Sequence, residues 1–132
     1  MKRKSLTPLG ETEMEVLHLV WELGHATVAD VRARMLEHRN VAYTTVMTVM
    51  KNLADKGYLS FEKDGVTYVY SAARRPEEVR QSLLGELMQK VFKGSPGALV
   101  QTLVASEKLS EAQREEIRQI INRMEDDDAD LR

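Results

Sequence analysis

The sequence predicts a mainly α-helical chain with a small β-hairpin: three helices, two strands, then three more helices. Three observations carry this. Apolar residues recur at the i, i+3, i+4, i+7 spacing of a helix face on both sides of the chain's middle. Between those stretches, YLSFEKDGVTYVYSA alternates with period two around an Asp64-Gly65 dipeptide. Capping residues and glycines stand where helices should start and stop.

Taken in order, TEMEVLHLVWEL (residues 12–23) puts Met14, Leu17, Val20 and Trp21 on one face, and Gly24 ends that helix. Thr27 and Asp30 have capping-box spacing for a second helix over about 28–38, with Val28, Val31, Met35 and Leu36 turned inward and Asn40 breaking the pattern. A third helix runs from Tyr43 to Lys56. Its core stripe is Val46, Val49, Met50 and Leu53; Gly57 stops it, and Lys56 meets the negative end of its dipole. In the hairpin, Leu59 and Phe61 alternate with Ser60 and Glu62, then Thr67, Val69 and Ser71 with Tyr68 and Tyr70. Asp64-Gly65 suits a type I′ turn, whose central residues both take positive φ. Tyr68 and Tyr70 share one face, and core packing is expected of them.

Pro76 opens a fourth helix, 76–92, with Val79, Leu83, Leu87 and Val91 in line and Leu84 and Met88 beside them; Gly94 stops it. Ser95-Pro96 reads as the N-cap and first residue of a short helix to about Ala105. Ser110 and Gln113 cap the last helix, 111–125, whose apolar face is Ile117, Ile120, Ile121 and Met124.

A length of 132 residues suits one compact domain or a small domain with an arm. Hydrophobic residues at 42% and charged residues at 30% fit a globular chain, not a disordered one. The absence of cysteine excludes a disulfide framework, a cysteine zinc site and a thiol nucleophile, and fits a reducing compartment. The start, MKRKSLTPLGE, is basic but lacks the apolar stretch of a secretory signal. No run approaches the roughly 18 apolar residues of a membrane span, so no direct membrane association is expected.

The net charge of −2 conceals an asymmetry. Residues 1–75 hold 11 Lys+Arg against 9 Asp+Glu, a net of +2, and residues 76–132 hold 8 against 12, a net of −4. With a boundary near Arg74-Arg75, this predicts two domains, 1–75 and 76–132. The apolar faces of the second have two readings: they fold back on the first domain, or they pair with a second copy. A self-complementary pairing of two tails would cover every such face.

The third helix carries an unusual outward side: Thr44, Thr45, Met47 and Thr48, followed by Lys51, Asn52 and Asp55. Threonine is a poor helix former because β-branching restricts its rotamers, so helix stability does not explain this face. Three helices followed by a two-stranded wing is the winged helix-turn-helix arrangement, in which the third helix enters the DNA major groove. Threonine hydroxyls can meet base edges, its methyl and Met47 can meet a thymine methyl, and no acid stands at the helix start. Phosphate contacts are expected from Lys51, Arg39, the wing Lys63, and Lys2, Arg3 and Lys4. Tyr43, at the helix entry, offers a phosphate its hydroxyl or serves as a partly buried wedge.

VAYTTVMTVMKNLADKGYL, with LVWELGHATVADVRARM before it, KDGVTYVYSA after it and the later GALVQTLVASEKLSEAQREEI, resembles the penicillinase-repressor (BlaI/MecI) family over about residues 7–124. The resemblance implies a cytoplasmic homodimeric repressor whose N-terminal winged helix binds inverted-repeat operators in double-stranded DNA. The genes so controlled encode β-lactamase or related stress functions. It puts Thr44, Thr45, Met47 and Thr48 on the base-reading face. It also implies dimerisation through the C-terminal helices, where Leu87, Val91, Leu99, Val100, Leu103, Ile117, Ile120, Ile121 and Met124 are the apolar candidates. Family members are relieved by proteolysis after a membrane-bound zinc metallopeptidase senses a β-lactam; Thr102-Leu103 stands where the best-known members have Asn-Phe, a departure that bears on cleavage and not on DNA binding. The Cys-x-Cys pairs of a copper-responsive branch are missing.

No enzyme is expected: His18, His25 and His38 lie apart with no ligand or nucleophile spacing, and neither cofactor nor metal is implied. The rival readings are a winged-helix protein-interaction module and a small-molecule-responsive regulator.

Overall fold

The computed structural model describes residues 9–130. Its elements are α1 (Glu11–Leu23), β1 (His25–Ala26), α2 (Val28–Met35), α3 (Tyr43–Asp55), β2 (Leu59–Asp64), β3 (Thr67–Ala72), α4 (Pro76–Phe92), α5 (Pro96–Ala105) and α6 (Glu111–Asp130). The class is the expected one, mainly α with a small antiparallel sheet. The chain divides into two compact units, one running to Gly85 and the other beginning at Glu86. The first turns of α4 belong to the first unit, because Val79 is buried in its core and Leu83 packs against it.

Each helix of the first unit contributes one apolar face. Val16, Leu17 and Val20 of α1, Val28, Val31 and Met35 of α2, and Val46, Met50 and Leu53 of α3 are buried together. Burying each such side chain is worth roughly 1.5–3 kcal/mol, the main force holding three short helices together. Met14, Trp21 and Val49 sit at the edge of this core, partly buried. Tyr58 is the largest fully buried side chain, in the gap between Gly57 and β2 where no periodicity marks it. Its backbone N–H donates to Leu53 O at 2.9 Å, and its carbonyl accepts from Ala73 N at 3.0 Å, joining the end of α3 to the exit of β3.

The capping box of α2 forms as expected: Thr27 N–H donates to Asp30 Oδ2 at 3.0 Å, and Asp30 N–H to Thr27 Oγ1 at 3.1 Å. The helix stops at Met35, short of the expected end. The N–H groups of His38 and Arg39 both turn back to Met35 O. Leu36 is therefore 42% exposed and not turned inward.

The sheet has three strands in the order β1-β3-β2, all antiparallel. The short β1 was not expected; His25 pairs with Ser71 and Ala26 with Tyr70, so the link between α1 and α2 backs the hairpin. Two strands alone would be marginal in water. Asp64 pairs with Thr67, which makes Gly65 and Val66 the central turn residues. Gly65 has φ 66°, while Lys93 is the only non-glycine with positive φ among the described residues. Positive φ at the first central position alone is the type II′ pattern, which corrects the type I′ expectation.

In the second unit, Ser95 Oγ accepts from Ala98 N–H at 3.1 Å. Ser110 and Gln113 exchange hydrogen bonds of 2.9 and 3.1 Å. The last helix continues to Asp130, past the expected end. None of residues 86–127 is buried. No helix of the described residues is long and apolar enough to cross a membrane.

Candidate nucleic-acid interface

The position of α3 is fixed at both ends. At its start, Arg32 Nε donates to Val41 O at 3.0 Å. The guanidinium of Arg39 forks onto Glu15, at 2.9 Å through Nη1 and 2.7 Å through Nη2. At its end, Lys56 Nζ reaches both carboxylate oxygens of Glu13 at 2.8 Å. The hydrogen bond from Lys56 holds the Glu13 carboxyl below its ordinary pKa against a smaller opposing effect of burial; the backbone N–H of Gly10 assists. These contacts tie the third helix to α1 and α2, so its outward face has a defined direction.

That face is open. Tyr43 is 47% and Met47 43% exposed, and Thr44, Thr45, Thr48, Lys51, Asn52 and Asp55 are all exposed. The first turn of α3 contains no acid, and its N-cap, Ala42, makes no side-chain cap. The positive end of the dipole therefore faces solvent unmasked, which favours a phosphate. Thr48 Oγ1 donates to Thr44 O at 2.9 Å, so it keeps its proton within the helix and presents a methyl and acceptor lone pairs outward.

The expected phosphate contacts fall into three groups. Lys51 on α3 and Lys63 on β2 are exposed and make no ion pair or hydrogen bond among the described residues. Arg39 is exposed but already neutralised by Glu15. Lys2, Arg3 and Lys4 lie outside the described residues.

Between α3 and the wing lies an open cleft of about 430 Å³. One wall is Met47, Thr48, Lys51 and Asp55; the other is Phe61, Tyr68 and Tyr70. Phe61 meets Tyr68 edge-to-face at 5.1 Å and leans on Tyr70 at 5.6 Å. Tyr70 is buried, and burial pushes its hydroxyl pKa up, with Tyr68 and Asp55 adding to the shift. Tyr68 is 46% exposed, so only one of the two tyrosines packs in the core, contrary to expectation. Phe61 was not singled out from the sequence as a surface residue. Period two put it on the face of Tyr70, and nothing in the pattern reveals that this face opens beyond Tyr70.

In the second unit, Leu87, Val91, Val100, Leu103, Ile120, Ile121 and Met124 are 39–63% exposed, while Leu99 and Ile117 are half-buried. Thr102-Leu103 lies inside α5, with Thr102 Oγ1 donating to Ala98 O at 2.9 Å. Among the described residues, no three His, Asp or Glu side chains gather as a metal site.

Three packed helices, a wing and a third helix with an uncharged hydroxyl-rich outer face define a winged helix-turn-helix protein. The penicillinase repressor family profile matches residues 9–123. The chain belongs to that family: it is a DNA-binding transcriptional repressor and not an enzyme. It is 25% identical over 115 residues to the methicillin resistance regulatory protein MecI of Mammaliicoccus sciuri, covering 87% of this chain and 94% of that protein. It is 21% identical over 110 residues to a penicillinase repressor of Staphylococcus aureus, covering 83% and 87%. Among solved structures, the complex structure of hsRosR-SG shares the fold, with a TM-score of 0.53 at 15% identity over 98% of this chain and 100% of that one.

Proposed function

We propose that this repressor binds inverted-repeat operators as a homodimer in the cytoplasm, with the first unit, to Gly85, reading DNA and the second, from Glu86, joining the two copies. The observation that carries this reading is the solvent-facing side of α3: Thr44, Thr45, Met47 and Thr48 for base edges, with unpaired Lys51 beside them for a phosphate. Tyr43 and Lys63 add backbone contacts at the helix entry and on the wing. Arg39 joins them by exchanging Glu15 for a phosphate. The exposed apolar residues of α4, α5 and α6 support the second half of the reading, because each face left open in one chain finds a match in a second. The target genes are of the β-lactamase or related stress class. Relief of repression is by proteolysis in the second unit, performed by a membrane-bound metallopeptidase; Thr102-Leu103 is the candidate bond by position, and it departs from the family's Asn-Phe pair.

Titrating the affinity for duplex DNA at two salt concentrations, for the native chain and for Lys51→Gln, tests the DNA contact. Steep loss of affinity with salt is expected, and Lys51→Gln should reduce the slope by about one. Binding to no duplex at low salt would replace this reading with that of a protein-interaction module.

A further inference from the structure

We infer that the cleft between α3 and the wing is a sugar-edge groove: it holds the deoxyribose face of one DNA strand on Phe61 and Tyr68. This deepens the proposed function and rests on it. A recognition helix in the major groove, about 12 Å wide, is flanked by the sugar–phosphate ridges of both strands. With the wing projecting from the same unit, the space between helix and wing must receive one of those ridges. The cleft has the right chemistry for its non-polar side. Met47, Phe61 and Tyr68 leave 43%, 51% and 46% of their surface open, and their apolar groups meet around buried Tyr70. Aromatic side chains bury large apolar areas and are enriched at binding interfaces, as is methionine.

The α3 wall of the cleft carries opposite charges. Lys51 and Asp55 stand one helical turn apart, and neither has an ion pair among the described residues. A phosphate is drawn to the Lys51 end and repelled from the Asp55 end. The strand is thereby oriented, phosphate toward Lys51 and the C–H face of the sugar on the aromatic floor. Because deoxyribose is the same in every nucleotide, this contact adds affinity without sequence preference. The surface is continuous with the reading face, since Met47 and Thr48 belong to both.

The test is binding of the full-length chain to a duplex pool at two salt concentrations, with unfolding temperatures recorded for each variant. Tyr68→Ala and Phe61→Ala should each lower affinity for all duplexes several-fold, with an unchanged salt slope, whereas Tyr68→Phe should bind like the native chain. Asp55→Asn should bind all duplexes more tightly. Phe61 leans on the core residue Tyr70, so Tyr68→Ala is the variant that decides if Phe61→Ala unfolds. Native-like binding by a folded Tyr68→Ala overturns the inference and leaves the DNA reading standing. Loss in Tyr68→Phe equal to that in Tyr68→Ala also overturns it, because a hydroxyl–phosphate bond would then be the contact. Absence of any duplex binding by the native chain overturns both.

Discussion

Val16, Leu17, Val31, Met50 and Leu53 in the first unit are wholly shielded from solvent within a single chain, whereas Leu87, Val91, Ile120 and Met124 in the second are 42–63% exposed. The apolar residues are similar; their number per fold differs. Three helices, a sheet and the start of α4 enclose a core, while α5, α6 and the rest of α4 have too little chain to do so. The first unit encloses a core of its own, and on the proposed reading that core holds α3 in one orientation toward DNA. The second is built like half of a core, and on this account the other half is the same unit of a second copy.

The largest expected effect comes from breaking that second half-core. Ile120→Asp or Leu103→Asp should turn dimer into monomer by sedimentation and lower operator affinity by about 10²–10⁴, the gain that tethering two readers gives. The first unit should stay folded. Leu53→Ala makes the reverse damage. It should cost about 2–5 kcal/mol in denaturant unfolding, because a wholly buried leucine leaves a cavity that three crossing helices cannot close.

A smaller effect is expected at the bridge between Glu13 and Lys56, which pins the end of α3 to α1. Glu13→Gln should cost about 1 kcal/mol near neutral pH. The Glu13 carboxyl lies below its ordinary pKa of 4.5 in the folded chain, so its contribution is present in full above that value. As pH falls below 4.5 and through the folded value, native and Glu13→Gln unfolding free energies should converge. A gap that persists at low pH would mean that the bridge is not its source. The smallest change in total affinity is expected of Thr48→Ala, which should alter sequence preference instead, measured by binding to a panel of duplexes. A uniform loss on all of them would contradict a base-reading role.

The helices were legible because each buries one face, and burial imposes a period on the residues that do it. The caps at Thr27, Ser95 and Ser110 were legible because orphan backbone groups require particular side chains at fixed offsets. What escaped lacks either signal. The strand β1 has two residues, too few for alternation, and its pairing to Ser71 and Tyr70 spans α2, α3 and β2. Tyr58 fills a gap between elements. The hairpin turn was misplaced by one residue because Asp-Gly is a strong local signal, while register is set across the strands. At the interface, the exposed threonine face of α3 was legible from the absence of core or charge patterning. The engagement of Arg39 was not, since Glu15 stands 24 residues away and only the packing of α1 on the α2–α3 turn brings them together.

On the proposed reading, two copies of the first unit, joined through the second, read DNA together. That reading is tested most directly by selecting bound sequences from a random double-stranded pool with the full-length chain. Enrichment of an inverted repeat with fixed half-site spacing is expected. Enrichment of an isolated half-site, or of no sequence at all, would contradict it.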